Sequence, residues 1–282
     1  MTRLVLAVLL VVVSASAHAE APVPQRVASL NLAADEVLAE ILPPGRLVGV
    51  TALVDEQGTS NAIGRVPASV PRFPKADLER LLSVRPDLVV VSEYTDADFL
   101  KLLERSGVRH HRMQGLSTLT GMRTAVLALG DAVGARPAAD VLVARFDRTL
   151  STLAARLSGA PRPRVLYWAG GLTAGRGTAI GSLIECGGGL NLGAELGLDG
   201  ITPVGAERAF VADPRQILIG EGWKSAEGLR AHPLLGRLPA VREGRLMAMP
   251  TQLLVALNHH AADACWDLAH RLHPDRVPAA VP

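Results

Sequence analysis

The chain has 282 residues, of which 49% are hydrophobic and 20% charged, with a formal net charge of +2 at neutral pH. This is the composition of a folded globular protein long enough for two domains, and it excludes extended disorder. The near-balanced charge gives no electrostatic basis for binding nucleic acid or a membrane surface.

The first residues read as a leader. Arg3 supplies a positive start, Leu4 to Val13 is an apolar run, and Ala17-His18-Ala19 ends it with small residues at the positions a signal peptidase reads. The run is too short to span a bilayer, which needs about 20 residues. Cleavage is predicted after Ala19. No cysteine follows the run to take a lipid anchor, so the exported chain is expected to be soluble in a Gram-negative periplasm.

The next segment alternates strands with helices. Val27 to Leu30 reads as a strand, Ala33 to Leu42 as a helix and Leu47 to Val50 as a second strand. Residues 51–75 are rich in glycine and proline and read as loop. A helix over Ala76 to Val84, a strand over Leu88 to Ser92, a helix over Asp96 to Ser106 and a strand over Val108 to Met113 follow. Such alternation implies a largely parallel sheet covered on both faces. A helix is predicted over Thr118 to Val133. A longer one runs from Pro137 to Ser158, with Leu142, Phe146, Leu150, Leu153 and Leu157 on one face. At 1.5 Å per residue it spans about 33 Å. It reads either as a stiff connector or as an ordinary core helix. Beyond it the same grammar returns. Strands are predicted over Val165 to Trp168, Ile217 to Ile219 and Leu246 to Met249, with helices over Ile180 to Cys186 and Leu253 to Leu272.

The two halves share a phrase. Residues 77–91 read DLERLLSVRPDLVVV and residues 205–219 read GAERAFVADPRQILI. Each has a glutamate (Glu79, Glu207), six residues, a proline (Pro86, Pro214), and then an apolar run of strand type. A helix that stops before proline and feeds a strand is a common junction. The shared openings, Arg26-Val27-Ala28 and Arg164-Val165-Leu166, favour two similar lobes and therefore a cleft.

Chemistry-bearing patterns are few. The segment AGGLTAGRGTAIG (169–181) follows a strand and opens a helix, but its spacing is not that of a dinucleotide or P-loop motif. It is either a surface turn or a loop whose glycines admit a ligand, with Thr178 and helix-start N–H groups facing an acceptor. Ser182 has no nucleophile elbow around it. His259 and His260 are adjacent, as are His110 and His111, and neighbours on a helix or strand face apart. They read as surface or packing residues, and no metal site is predicted. Phe73, Tyr94, Trp168 and Trp223 fall in loops or at strand ends, where α/β sheets bind ligands; core packing is the alternative. Cys186 and Cys265 form a disulfide in an oxidising compartment, or remain two buried thiols.

The stretches RVASLN (26–31), RLVGV (46–50), LERLLSVRPDLVVV (78–91), TAGRGT (173–178) and ECGGGLNL (185–192) resemble the periplasmic substrate-binding proteins of ABC importers for cobalamin, haem and ferric siderophores, and among them the cobalamin binders. The resemblance implies an α/β fold of two lobes with mainly parallel sheets joined by one long helix. The corresponding division is a leader (1–19), an N-terminal lobe (20–136), a connector helix (137–159) and a C-terminal lobe (160–282). It implies a monomeric, non-enzymatic protein that captures cobalamin or a related corrinoid, without a cofactor of its own, and delivers it to a permease dimer in the inner membrane. Glu79 and Glu207 fall where the family docks its permease. Cys186 and Cys265 fall where the cobalamin binders have a disulfide, and Phe73 where an aromatic stacks near the ligand. Asn31, at the end of RVASLN, joins Phe73, Tyr94, Trp168, Thr178 and Trp223 as expected ligand contacts. Leu53 stands where a tyrosine is expected and Ile201 where a tryptophan is. Both departures move the expectation toward a different corrinoid, a ferric siderophore or haem, for which Tyr94, Tyr167 and His259 are candidate ligands. An exported enzyme using the same cleft is the alternative from another class.

Overall fold

A computed structural model describes residues 22–222 and 225–281. The predicted leader and Trp223 lie outside the described residues. The first lobe contains β1 (Val27–Ser29), α1 (Leu32–Ile41), β2 (Leu47–Thr51), β3 (Arg72–Phe73), α2 (Leu78–Ser83), β4 (Leu88–Ser92), α3 (Ala97–Arg105), β5 (His110–Met113) and α4 (Leu119–Ala132). Its five strands are all parallel, in the order β3-β2-β1-β4-β5. The central strands are apolar at almost every position because both faces are covered by helices.

Helix α5 (Arg136–Arg156) follows, with proline in its first turn. The second lobe contains β6 (Arg164–Tyr167), β7 (Leu172–Ala174), α6 (Ala179–Cys186), β8 (Leu190–Asn191), α7 (Leu192–Glu195), β9 (Ile201–Pro203), α8 (Ala206–Ala212), β10 (Gln216–Gly220), α9 (Ser225–Ala231), α10 (Pro239–Arg242), β11 (Leu246–Met249), α11 (Thr251–Leu254) and α12 (Ala261–Leu272). Four of its strands form a parallel sheet in the order β11-β10-β6-β8, and β7 pairs antiparallel with β9. The protein is therefore two αβ lobes joined by a single long helix.

The repeated phrase has a common structural cause. In each copy a short helix (α2, α8) leads to a strand that pairs with the first strand of its sheet, β4 with β1 and β10 with β6. The residue before the proline is left-handed in both copies, Arg85 at φ 47° and Asp213 at φ 46°. Among the described residues these are the two non-glycine positions with positive φ. Proline opposes right-handed helix in its predecessor, and the left-handed turn redirects the chain into the strand. The arginine that opens each half then closes the helix end: Arg26 donates to the Val84 carbonyl at 2.6 Å and Arg164 to the Ala212 carbonyl at 2.9 Å. Val84 and Ala212 are the same position of the repeat.

Two predicted elements differ. The loop 51–75 holds a 3-10 turn (Ala52–Asp55) and the edge strand β3, so Phe73 lies in a sheet. The final helix is not continuous from Leu253 to Leu272. It is interrupted over residues 255–260, between α11 and α12, and within the break the Asn258 side-chain oxygen accepts the His260 N–H at 2.9 Å.

Cys186 and Cys265 are bonded to each other, tying the end of α6 to the middle of α12 with 5.7 Å between Cα atoms. The bond closes a segment of 79 residues. Replacing both cysteines by alanine is expected to lower the unfolding free energy by ~2–5 kcal/mol. Urea denaturation of the mature protein, compared with the double variant, measures it.

Candidate ligand cleft

The C-terminal ends of parallel strands face the space between the lobes, the usual place for a ligand in such sheets. A cavity of about 400 Å³ lies there, lined by Tyr94 and Ser117 from the first lobe and by Thr178, Ile180, Ile201 and Val255, among others, from the second. Its walls are largely aliphatic, and several of them are unusually open to solvent: Tyr94 is 63% exposed, Ile201 53% and Val255 39%. Leu53, on the turn after β2, is likewise exposed. Large apolar side chains left in water around a concavity mark a binding surface. The lobes touch beside it, where the Ser182 hydroxyl donates to the Ser117 carbonyl at 3.1 Å.

The expected ligand residues divide. Tyr94 and Thr178 meet in this cavity. The Thr178 hydroxyl, however, is spent on capping α6: it accepts the Gly181 N–H at 3.0 Å and donates to the Gly175 carbonyl at 2.9 Å. The free donors at this helix start are the N–H groups of Ala179 and Ile180, which have no protein acceptor among the described residues. The neighbouring glycines serve two ends. A Cβ on Gly175 would lie 2.3 Å from the Leu198 carbonyl oxygen, so that glycine is required by chain packing. Gly177, at φ +70°, lines the cavity with open space beside it.

Phe73 is not in the cleft. Its ring covers Gly49, where a Cβ would stand 2.4 Å from it, and it is buried in the first lobe's core with Leu81 and Val89. Pairing of Phe73 with Thr51 turns the ring inward. Trp168 is also mostly buried and borders a different hollow, of about 570 Å³, with Gly170, Gly171, Val204 and His232. Asn31 caps α1, accepting the Ala34 N–H at 2.9 Å, while its amide nitrogen is buried without a partner. Tyr167 is buried, and burial pushes its phenol up to about 12. Burial raises the Tyr94 phenol as well, aided by the charge and hydrogen bond of Glu93.

Glu79 and Glu207 occupy the second position of α2 and α8. Both are exposed, and neither is engaged by a hydrogen bond or ion pair among the described residues. A helix N-terminus favours a carboxylate there.

A polar seam between the lobes escaped sequence reasoning. Helix α1 buries Asp35 and Glu36 and half-buries Glu40. Glu36 accepts the Asn61 N–H at 2.7 Å and the Asn258 amide at 2.7 Å, and Asn61 also donates to the Gln252 carbonyl. His259 Nε2 meets Glu40 at 3.1 Å, and His260 Nδ1 meets Asp263 at 3.2 Å. Burial works against a charge on these groups. Contacts with Asp263 and Glu40 outweigh it for His260 and raise it to about 9, whereas His259 is held below its ordinary value. The two histidines were expected to face apart, but they lie in the turn before α12, with ring centroids 4.1 Å apart. His259 therefore points into the seam, away from any role as a cleft ligand. The available signal was an apolar helix, LAADEVLAEI, with three carboxyls that needed partners.

The chain belongs to the periplasmic binding protein family, whose sequence profile matches residues 27–253. It is 26% identical over 242 residues to a cobalamin-binding protein of Halobacterium salinarum, covering 84% of this chain and 64% of that protein. The chain thus spans less than two-thirds of the length of the curated relatives it matches. Among solved structures it is similar to a periplasmic haem-binding protein of Pseudomonas aeruginosa (26% identity, TM-score 0.75, 92% of this chain and 96% of that one). It is also similar to the apo form of the haem-binding protein RhuT of Roseiflexus sp. RS-1 (22% identity, TM-score 0.76, 89% and 98%).

Asp35, on the same helix α1, bonds within the first lobe and titrates separately from the seam. Its carboxyl accepts the Thr51 N–H and hydroxyl, at 3.1 and 2.5 Å, and its other oxygen is buried without a partner. Burial raises it from 3.8 to about 7 against the hydrogen bonds from Thr51. A folded value above the unfolded one gives stability that is complete below 3.8 and lost as pH rises through about 7. Asp35→Asn keeps an acceptor for Thr51 and removes this titration. Between about pH 5 and about pH 8 the native protein is expected to lose ~2–3 kcal/mol more unfolding free energy than the variant. Denaturation curves at the two pH values measure the difference.

Proposed function

We propose that this chain is the periplasmic binding component of an ABC importer, that it captures a cobalamin-type corrinoid between its lobes, and that it docks on a permease dimer through Glu79 and Glu207. The observation that carries the proposal is the inter-lobe cavity, walled by exposed aliphatic side chains and edged by Tyr94 and the free N–H groups of Ala179 and Ile180. Such a surface suits one face of a flat metal macrocycle, with the backbone donors taking a polar substituent such as an amide carbonyl. The resemblance to a cobalamin-binding protein over most of the chain supports the same ligand class. Leu53 and Ile201 present aliphatic rather than aromatic contacts to it. The role in this reading is capture and release.

Haem is the second reading, favoured by the haem-binding protein of similar sequence and by the exposed phenol of Tyr94 at the cleft edge. The likeness to a cobalamin-binding protein over most of the chain supports the corrinoid as the first reading. Calorimetric titration of the mature protein with cyanocobalamin, haemin and a ferric hydroxamate separates the ligands. Saturable one-to-one binding of cyanocobalamin is expected. Tight haemin binding that is lost in Tyr94→Phe, with no response to cyanocobalamin, would transfer the role to haem.

The docking role is separable from capture. Each exposed carboxylate contributes about 0–1 kcal/mol to an ion pair, so the pair acts through orientation and encounter rate. Glu79→Ala combined with Glu207→Ala is expected to abolish uptake through the permease while leaving ligand affinity unchanged. A large loss of affinity in the double variant refutes that division.

A further inference from the structure

We propose that Glu40, His259 and His260 form a binding site for a transition-metal dication of zinc type that fastens the two lobes together. Glu40 comes from α1 of the first lobe, and both histidines come from the turn before α12 of the second. Their donor atoms all lie within 4.8 Å of one another. Glu40 Oε1 is 3.1 Å from His259 Nε2 and 3.4 Å from His260 Nε2. Ligands held about 2.0–2.1 Å from a tetrahedral ion stand roughly 3.3 Å apart, so these separations need little adjustment to close around one.

Three further observations support the assignment. His260 Nε2 is buried and has no hydrogen-bond partner, although it faces the Glu40 carboxylate. Such an orphan nitrogen is costly in a protein interior, and coordination satisfies it. The other nitrogen of the same ring is 3.2 Å from Asp263, which is itself held by Arg145 at 2.8 Å. A carboxylate on the far side of an imidazole orients the ring and raises its basicity, the usual support behind a metal-bound histidine, and the ion takes the place of the Nε2 proton. Finally, Glu36 and Asp263 add negative charge beside the site. Arg65, which pairs with Glu40 at 2.7 Å, is half-exposed and can withdraw to solvent.

Two imidazoles and one carboxylate suit zinc, with nickel and copper as competitors, and exclude the all-oxygen preference of calcium or magnesium. With three protein ligands the fourth position belongs to water, reached from the partly open side of Glu40. The site lies apart from the ligand cleft but adjoins it, since Leu257 lines the cavity and Asn258 begins the seam. Zinc here would fix the floor of the cleft to the first lobe.

Titration of chelator-treated mature protein, its disulfide intact, with zinc chloride tests the assignment. One equivalent is expected to bind and to raise the thermal midpoint. Glu40→Gln and His260→Ala are each expected to weaken binding at least tenfold, while His110→Ala with His111→Ala leaves it unchanged. Failure to bind one equivalent at concentrations on the order of 100 µM, or undiminished binding in the first two variants, overturns the proposal. If those variants do not fold, as judged by circular dichroism, the visible absorption of cobalt(II) in the wild-type protein decides. An intense tetrahedral spectrum supports the site, and a weak octahedral one overturns it.

Discussion

The lobes of this protein are held at their separation by a polar contact made where an apolar one would be simpler. The Glu36 carboxyl is almost fully buried, and its acceptors are filled by Asn61 and, from the other lobe, by Asn258. Asn61 in turn reaches the Gln252 carbonyl. A buried carboxyl without these donors would cost several kcal/mol, so the lobes cannot separate, slide or rotate without exposing that cost. Apolar packing alone tolerates small shifts, whereas a set of directional bonds defines one arrangement. The cleft is consequently preformed, and its width is a property of the seam.

Helix α5 has a share in the same constraint. Its buried positions, Ala139, Val143, Phe146 and Leu153, belong in turn to the first lobe's core, to the inter-lobe cluster with Met122 and Ala261, and to the second lobe's core. One helix contributing to three successive clusters leaves no flexible joint between the lobes. Arg145 on the same helix holds Asp263, which orients His260. Connector and seam are one structure. A ligand entering between such lobes meets a surface already in place and loses little entropy in ordering it.

Much of this architecture was written in local signals. The repeat beginning at Asp77 and Gly205 was visible because each copy must stop a helix, turn before a proline and enter a buried strand, and those demands fix residue types at fixed spacing. The arginines that open each half were visible too, since they close the ends of the repeated helices. The face of α5 was read slightly askew: Leu142, Leu150 and Leu157 are only partly buried, while Ala139, Val143 and Thr149 lie deeper. A helix packed on two sides shows no single clean stripe. The site residues were harder. Phe73 was assigned to a loop because a two-residue edge strand has no periodicity to detect, and its burial depends on Gly49 across the sheet. His259 and His260 were assigned opposite directions by helical geometry. That failed because the helix is broken over residues 255–260, a segment in which Asn258 bonds to Glu36, 222 residues away. Long-range partners of polar residues leave no pattern within a window of sequence.

The segment from Leu254 to Asp263 shows how the two levels meet. Its first residues, Leu254, Val255 and Leu257, line the cavity, and its last, Asn258 to Asp263, bind α1 and α5. The break over residues 255–260 is what permits both. A continuous helix would point alternate residues away from one or the other, whereas the turn delivers aliphatic side chains to the cleft and polar ones to the seam. In the proposed reading, ligand choice rests on exposed side chains such as Leu53, Tyr94 and Ile201, which lie outside the core and carry little of the fold's stability. They can change without disturbing the seam. In the proposed reading the fold fixes where a ligand sits, and a few exposed residues determine which one it is.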